Sequence, residues 1–170
     1  DYDDVLNSII SSKPEDSTSI MQSVYNQEIS EELVAKRVQE IKSNNVMCAV
    51  SVTPQNTKRL SPIAIEAGAD IIVVQSTVTT PRHFSRSITG LNMTDLKKQI
   101  KVPLIVGNCV SYNVALEFMN TGVDGILVGV GPGAACTTRE VTGLGVPQVT
   151  ATLNCSKARD DYFNETGRYV

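Results

Sequence analysis

Ala67-Gly68-Ala69-Asp70-Ile71-Ile72 recurs further along the chain as Thr121-Gly122-Val123-Asp124-Gly125-Ile126. In both versions a glycine stops a helix, a short turn follows, and an apolar strand begins. Working outward, four apolar runs stand out: Met47–Val52, Ile71–Gln75, Pro103–Gly107 and Gly125–Val130. They are continuous, not alternating, as expected of parallel strands buried on both faces. Helical stretches separate them at Lys58–Ala67, Met93–Ile100 and Val114–Asn120. A repeat of roughly twenty to thirty residues per strand start is the spacing of βα units. A long helix is predicted over Pro147–Asn164, and Arg168-Tyr169-Val170 is predicted to open another strand.

Residues 1–46 read differently, as a helical lead-in without a strand. Its clearest part runs from Ser30 to Ile41: Ser30 can cap, Glu31 and Glu32 sit in the first turn, and Leu33, Val34, Val38 and Ile41 share a face. A looser helix is predicted over Asp16–Asn26. The expected organisation is therefore a lead-in over 1–46 and an α/β body over 47–170. An open doubly wound sheet and a piece of a barrel both satisfy this pattern. With 170 residues the chain is too short for a complete (β/α)8 barrel, which needs at least about 200. The start at Asp1 and the stop within a predicted strand lead to the expectation of a longer parent polypeptide.

Composition narrows the classes. Apolar residues make up 41% and charged residues 19%, enough for a packed core. The net charge of −3 argues against nucleic acid or an anionic membrane surface as the main partner. No run reaches membrane-spanning length, and the N-terminus lacks the basic and apolar regions of a signal peptide. Cys48, Cys109, Cys136 and Cys155 are scattered, without a CxxC pair and with His83 as the single histidine. Neither a zinc site nor a disulfide framework follows from that. The sequons at Asn92, Asn154 and Asn164 read as chance, and a reduced, cytoplasmic protein is expected.

The richest stretch chemically is Gly129-Val130-Gly131-Pro132-Gly133-Ala134-Ala135-Cys136-Thr137-Thr138-Arg139. It follows a strand directly, where βα folds place their sites. Its glycines allow tight turns that expose backbone groups, and turned carbonyls or amides can hold ions. Cys136, with Arg139 nearby, is a candidate nucleophile; an incidental small residue in a glycine-rich loop is the alternative. His83, Arg82 and Arg86 lie on a predicted loop and read first as surface. Cys109 and Cys48 read as packing, and Asp160-Asp161 as a solvated helix face.

Residues 129–148, together with Gly107-Asn108 and Ala67-Gly68-Ala69-Asp70, resemble the inosine monophosphate dehydrogenase and guanosine monophosphate reductase superfamily. That family carries Gly-x-Gly-Pro-Gly-Ser-x-Cys-Thr-Thr-Arg followed by Gly-x-Pro-Gln, and the resemblance spans residues 46–170. It is most similar to the subgroup without paired CBS modules found in actinobacteria and cyanobacteria. The resemblance implies an α/β (β/α)8 TIM barrel of which this chain supplies roughly the third to sixth βα units. It implies NAD-dependent oxidation of inosine monophosphate (IMP) to xanthosine monophosphate in guanine nucleotide synthesis. Cys136 would be the nucleophile and Thr138 would position water. Substrate would meet Gly133, Ala134 and Cys136; cofactor would meet Gln75, Ser76, Asn108 and Gly129. Potassium would sit on the backbone carbonyls of Gly131, Gly133 and Cys136. A homotetramer or homo-octamer is implied as well. Two positions depart from the pattern: Ala134 stands where the family has Ser, and Gln75 where it has Asp. The alternatives are an NADPH-dependent guanosine monophosphate reductase and a noncatalytic nucleotide-binding relative.

Overall fold

The computed structural model describes residues 2–81 and 90–170. Two compact units are present, residues 1–33 and 34–170. In the first, α1 (Tyr2–Ser11) and α2 (Pro14–Tyr25) form a helical hairpin joined by Ser12-Lys13. Pro14 opens α2, where its fixed φ and missing N–H cost nothing. Helix α3 (Glu31–Lys42) begins on a Ser30 cap, whose hydroxyl accepts from Leu33 N at 3.2 Å. From Val34 onward α3 belongs to the second unit, so that unit starts inside the stretch expected as lead-in.

The second unit is a four-stranded parallel sheet in the order β1 (Ala49–Val52), β2 (Ile71–Gln75), β3 (Leu104–Cys109), β4 (Gly125–Val128). Spatial order follows chain order with no reversal. This is the winding of a barrel; a doubly wound sheet would reverse at a switch point. Between the strands run α4 (Thr57–Glu66), α5 (Met93–Gln99) and α6 (Tyr112–Asn120), and α8 (Gln148–Thr166) packs against α6. Ser111 caps α6, starting it two residues before the predicted Val114.

The strands are not buried on both faces as expected. Ile72, Val74, Leu104 and Val106 are wholly buried against the helices, with Phe118 and Met119 of α6 among their company. The opposite face, carrying Ile71, Val73, Ile105 and Leu127, is only half-buried. That is the face a barrel turns inward. A Cβ at Gly107 would meet Leu127 Cβ at 2.5 Å and its carbonyl oxygen at 2.7 Å, so β3 and β4 approach closely only because that residue is glycine.

The repeated phrase has one structural job done twice. Asp70 accepts from Cys48 N at 2.7 Å and pairs with Lys42; Asp124 accepts from Leu104 N at 2.8 Å and pairs with Lys97 and Arg168. Each carboxylate thus ties the start of its own strand to the start of the preceding one. Burial pushes the Asp124 carboxyl up, but hydrogen bonds from Lys97 and Leu104 more than offset this and hold it below the usual range. Stability from a carboxylate depressed in the folded state is present above its unfolded pKa of about 3.9 and is lost as pH falls through the folded value. Asp124→Ala is therefore expected to destabilise the fold by about 2 kcal/mol at neutral pH, since it orphans a buried N–H and removes the carboxylate from Lys97 and Arg168. Urea unfolding at pH 7 and near pH 3 checks this: the gap between variant and wild type should narrow at the acidic end.

Arg168-Tyr169-Val170 is not a strand. Arg168 instead turns its guanidinium onto Gly122 O at 3.0 Å, Val123 O at 2.7 Å and Asp124 Oδ1 at 3.1 Å, so the segment clamps the α6–β4 turn. Asp161 is likewise not a merely wet residue. It accepts from Tyr112 Oη at 2.8 Å and Lys157 Nζ at 2.9 Å, fastening α8 to α6.

Candidate functional site

The site grows from the C-terminal ends of β2, β3 and β4. Gly107-Asn108, a cis peptide, closes β3 beside the turn that leaves β2. Backbone bonds lace the two together: Ser76 N to Gly107 O at 3.0 Å, Asn108 N to Ser76 O at 3.1 Å, and Thr79 N to Asn108 O at 3.0 Å. Buried Thr79 adds a hydroxyl bond to Gly107 O at 2.7 Å and meets Ser76 Oγ at 2.7 Å. Sequence reading missed Thr79; a hydroxyl four residues past a strand carries no signal of its own. The Ser76 hydroxyl, expected to face cofactor, also bonds Val78 O at 2.7 Å.

From β3, Asn108 reaches β4. Its Nδ2 donates to Gly129 O at 2.9 Å, while its Oδ1 is buried and has no partner among the described residues. Gly129 has φ +133°, and a Cβ there would meet Gln148 Oε1 at 2.7 Å. Gln148, the last residue of the Gly-x-Pro-Gln signature, donates to Val128 O at 3.3 Å and so closes the loop against the strand that launches it. Val130 and Val146 form an antiparallel bridge at the loop's neck.

Inside that neck lies α7 (Thr138–Thr142). Cys136, partly exposed, has its Sγ 3.3 Å from Thr138 Oγ1. Hydrogen bonds from the Thr138 hydroxyl and backbone N–H favour the thiolate, outweigh desolvation, and with the Arg139 charge hold the thiol below its usual range. The other cysteines differ. Burial, then the nearby Cys155 thiol, pushes Cys109 up to about 12, which makes it inert packing. Cys48 is buried in the core.

Gln75, Ser76, Asn108, Gly129 and Gly131 line one cleft of about 370 Å³ together with Thr77 and Val130. Four of these are the residues expected to meet cofactor. The orphaned Asn108 Oδ1, beside the cleft's polar lining, fits a ligand that brings a hydrogen-bond donor, such as a carboxamide. Gln75 accepts from Ser51 Oγ at 3.3 Å on the inward face of the sheet. Cys136, Thr138, Gly133 and Ala134 stand on the loop and not in the cleft lining. Ala134 is exposed.

Gly133 is one of the three residues whose carbonyls are expected to hold potassium. Its carbonyl accepts from Cys136 N at 3.2 Å and from Arg139 Nη2 at 3.3 Å. His83, Arg82 and Arg86 lie outside the described residues. A larger cavity, about 680 Å³, opens between α4 and α5 beside Ser61, Pro62 and Leu96, and none of the expected site residues lines it. Among the described residues no helix is long and apolar enough to cross a membrane, and no group of His, Cys, Asp and Glu is placed to hold a metal.

The model of the IMP dehydrogenase / GMP reductase domain matches residues 13–165. An uncharacterized oxidoreductase of Mycobacterium bovis is 35% identical over 161 residues, covering 92% of this chain and 43% of the relative. An inosine-5'-monophosphate dehydrogenase of Cryptosporidium parvum is 38% identical over 100 residues, 59% of this chain and 24% of that protein. A crystal structure of an IMP dehydrogenase/GMP reductase-like protein from Corynebacterium glutamicum superposes with a TM-score of 0.84 at 32% identity, covering all of this chain and 45% of that one. The chain thus spans less than half the length of these relatives and carries part of a TIM barrel. Its four parallel strands, its glycine-rich Cys136 loop and these similarities place it in the IMP dehydrogenase / GMP reductase family.

Proposed function

We propose that the protein containing this chain oxidises IMP to xanthosine monophosphate with NAD, and that Cys136 is its nucleophile. The observation that carries the reading is the Cys136 thiol, held 3.3 Å from the Thr138 hydroxyl on a loop that Asn108 and Gln148 tie to β4. The thiolate adds to C2 of the purine, and the hydrogen at C2 departs with its electron pair. A covalent thioimidate remains at Cys136. Water then adds at C2, the thiolate leaves, and xanthosine monophosphate is released with a proton. Thr138, whose Oγ1 lies 3.3 Å from Sγ, would orient that water. NAD supplies the hydride acceptor, and Gln75, Ser76, Asn108 and Gly129 are the residues that would hold it. Gln75 offers a neutral amide where the family has a carboxylate, so it gives the cofactor ribose one hydrogen bond in place of a bidentate pair. Gly133 and exposed Ala134 would face the nucleotide, with one hydroxyl contact fewer than the family pattern.

The reductase branch uses the same Cys-Thr-Thr loop, and Glu140 stands on α7 two residues after Thr138. Absorbance at 340 nm separates the branches in the full-length protein. IMP with NAD should raise it; guanosine monophosphate with NADPH should leave it unchanged. A flat first trace with a falling second one reverses the assignment. Two flat traces with nucleotide still bound identify a noncatalytic relative.

A further inference from the structure

We propose that Thr79 is a positioning residue for the dinucleotide: it holds both main-chain carbonyls that flank the Asn108 Cα, and so sets where the Asn108 amide meets a ligand. That role presupposes the reading of Asn108 as a residue that holds the cofactor, and deepens it. Thr79 itself is only 6% exposed and does not line the cleft that Gln75, Ser76, Asn108 and Gly129 share. Its hydroxyl donates to Gly107 O at 2.7 Å, and its N–H donates to Asn108 O at 3.0 Å. The first carbonyl belongs to the peptide entering Asn108, the second to the peptide leaving it. With both peptide planes held by one residue, the Cα–Cβ bond of Asn108 has one direction.

The far end of the side chain is held as well. Asn108 Nδ2 donates to Gly129 O at 2.9 Å, which sets the rotation of the amide and leaves Oδ1 buried without a partner among the described residues. A hydroxyl carries one hydrogen. Ser76 has two oxygens at 2.7 Å to which it can turn its own, Thr79 Oγ1 and Val78 O, so toward the cleft it offers an acceptor. Asn108 Oδ1 and Ser76 Oγ are thus the acceptors that this wall presents to the donor hydrogens of a ligand, and both touch or are held by Thr79. Removing the Thr79 hydroxyl does not undo the strand pairing, because Ser76 N still donates to Gly107 O at 3.0 Å. What is lost is the second hold on the peptide entering Asn108.

The test is equilibrium binding of NAD, and in parallel NADPH, to the full-length protein by isothermal titration calorimetry. Thr79→Val keeps the shape and removes the hydroxyl; it should weaken the bound dinucleotide at least about fivefold, as loss of one buried hydrogen bond does. Thr79→Ser restores the hydroxyl and should bind within about twofold of wild type. A double-mutant cycle with Asn108→Ala separates a positioning role from a general one. If Thr79 acts through Asn108, adding Thr79→Val to Asn108→Ala should cost less than about a further twofold. Additive losses overturn the proposal, as does Thr79→Val that binds like wild type. In turnover the KM for the dinucleotide should rise while the KM for the nucleotide holds; equal rises in both overturn it too. Should Thr79→Val fail to fold, Thr79→Cys, a weak donor of similar size, takes its place with the same expectation. Binding needs no turnover. The expected cycle beside a flat 340 nm trace with IMP therefore supports the role of Thr79 and rejects the dehydrogenase reading, whereas wild-type protein that takes up neither dinucleotide overturns both.

Discussion

Cys136→Ala should lower turnover of IMP by at least about 10³-fold, because it removes the thiol proposed to form the covalent bond to the purine. Cofactor binding should survive, since the cleft-lining residues Gln75, Ser76, Asn108 and Gly129 are untouched. The expected pattern is thus a collapse in kcat with little change in NAD affinity. Rapid acid quench of the wild-type protein during turnover should show a nucleotide mass on the peptide containing Cys136, absent in the variant. Thr138→Val refines the test. Loss of its hydroxyl withdraws the leading stabilisation of the thiolate, so the pH midpoint of Cys136 alkylation should rise toward that of an ordinary thiol. An unchanged midpoint would leave the Thr138 contact without a chemical role. Turnover of IMP by Cys136→Ala at the wild-type rate would end the nucleophile assignment.

Much of this architecture is legible in the sequence because it is written in local terms. The glycine of each repeated phrase takes positive φ, +107° at Gly68 and +89° at Gly122, and a strand begins three residues later in both cases. The Ser30 cap follows from residue type and position. The Cys136 loop is legible for the same reason, as a contiguous signature. What was hidden is non-local. Nothing near Arg168 announces that it will clamp Gly122, Val123 and Asp124 instead of extending a strand. Asp161 reads as a solvated carboxylate until Tyr112 is brought to it from α6. Thr79 becomes structural only once Gly107 lies beside it. The strand runs misled in a different way. An apolar run predicts low polarity on both faces, but whether both faces are covered depends on how many elements surround the sheet.

Gly107→Ala should place a methyl group where the close approach of β3 and β4 leaves no room for it. The new Cβ would lie 2.5 Å from Leu127 Cβ, 2.7 Å from Leu127 O and 3.1 Å from Leu127 Cα. Two of those neighbours are backbone atoms, which no rotamer change can move. Relief requires β3 and β4 to separate where Gly107 pairs with Leu127. Overpacking that forces backbone shifts costs about 1–3 kcal/mol and occasionally more; with a rigid neighbour the upper end, roughly 3 kcal/mol, is expected. A second effect follows from position. Asn108 is the next residue, and its Nδ2 bond to Gly129 O crosses the same gap. Separation of the strands should therefore lengthen that bond and loosen the start of the Cys136 loop, so activity should fall further than stability alone explains. Gly143→Ala is the control. Its φ of +70° makes alanine strained, but nothing lies within 4 Å of the added methyl. Left-handed backbone alone costs an L-residue about 1–2 kcal/mol. Urea unfolding of both variants in the full-length protein should thus rank Gly107→Ala well below Gly143→Ala, and equal destabilisation would show that the close approach of β3 and β4 yields at little cost.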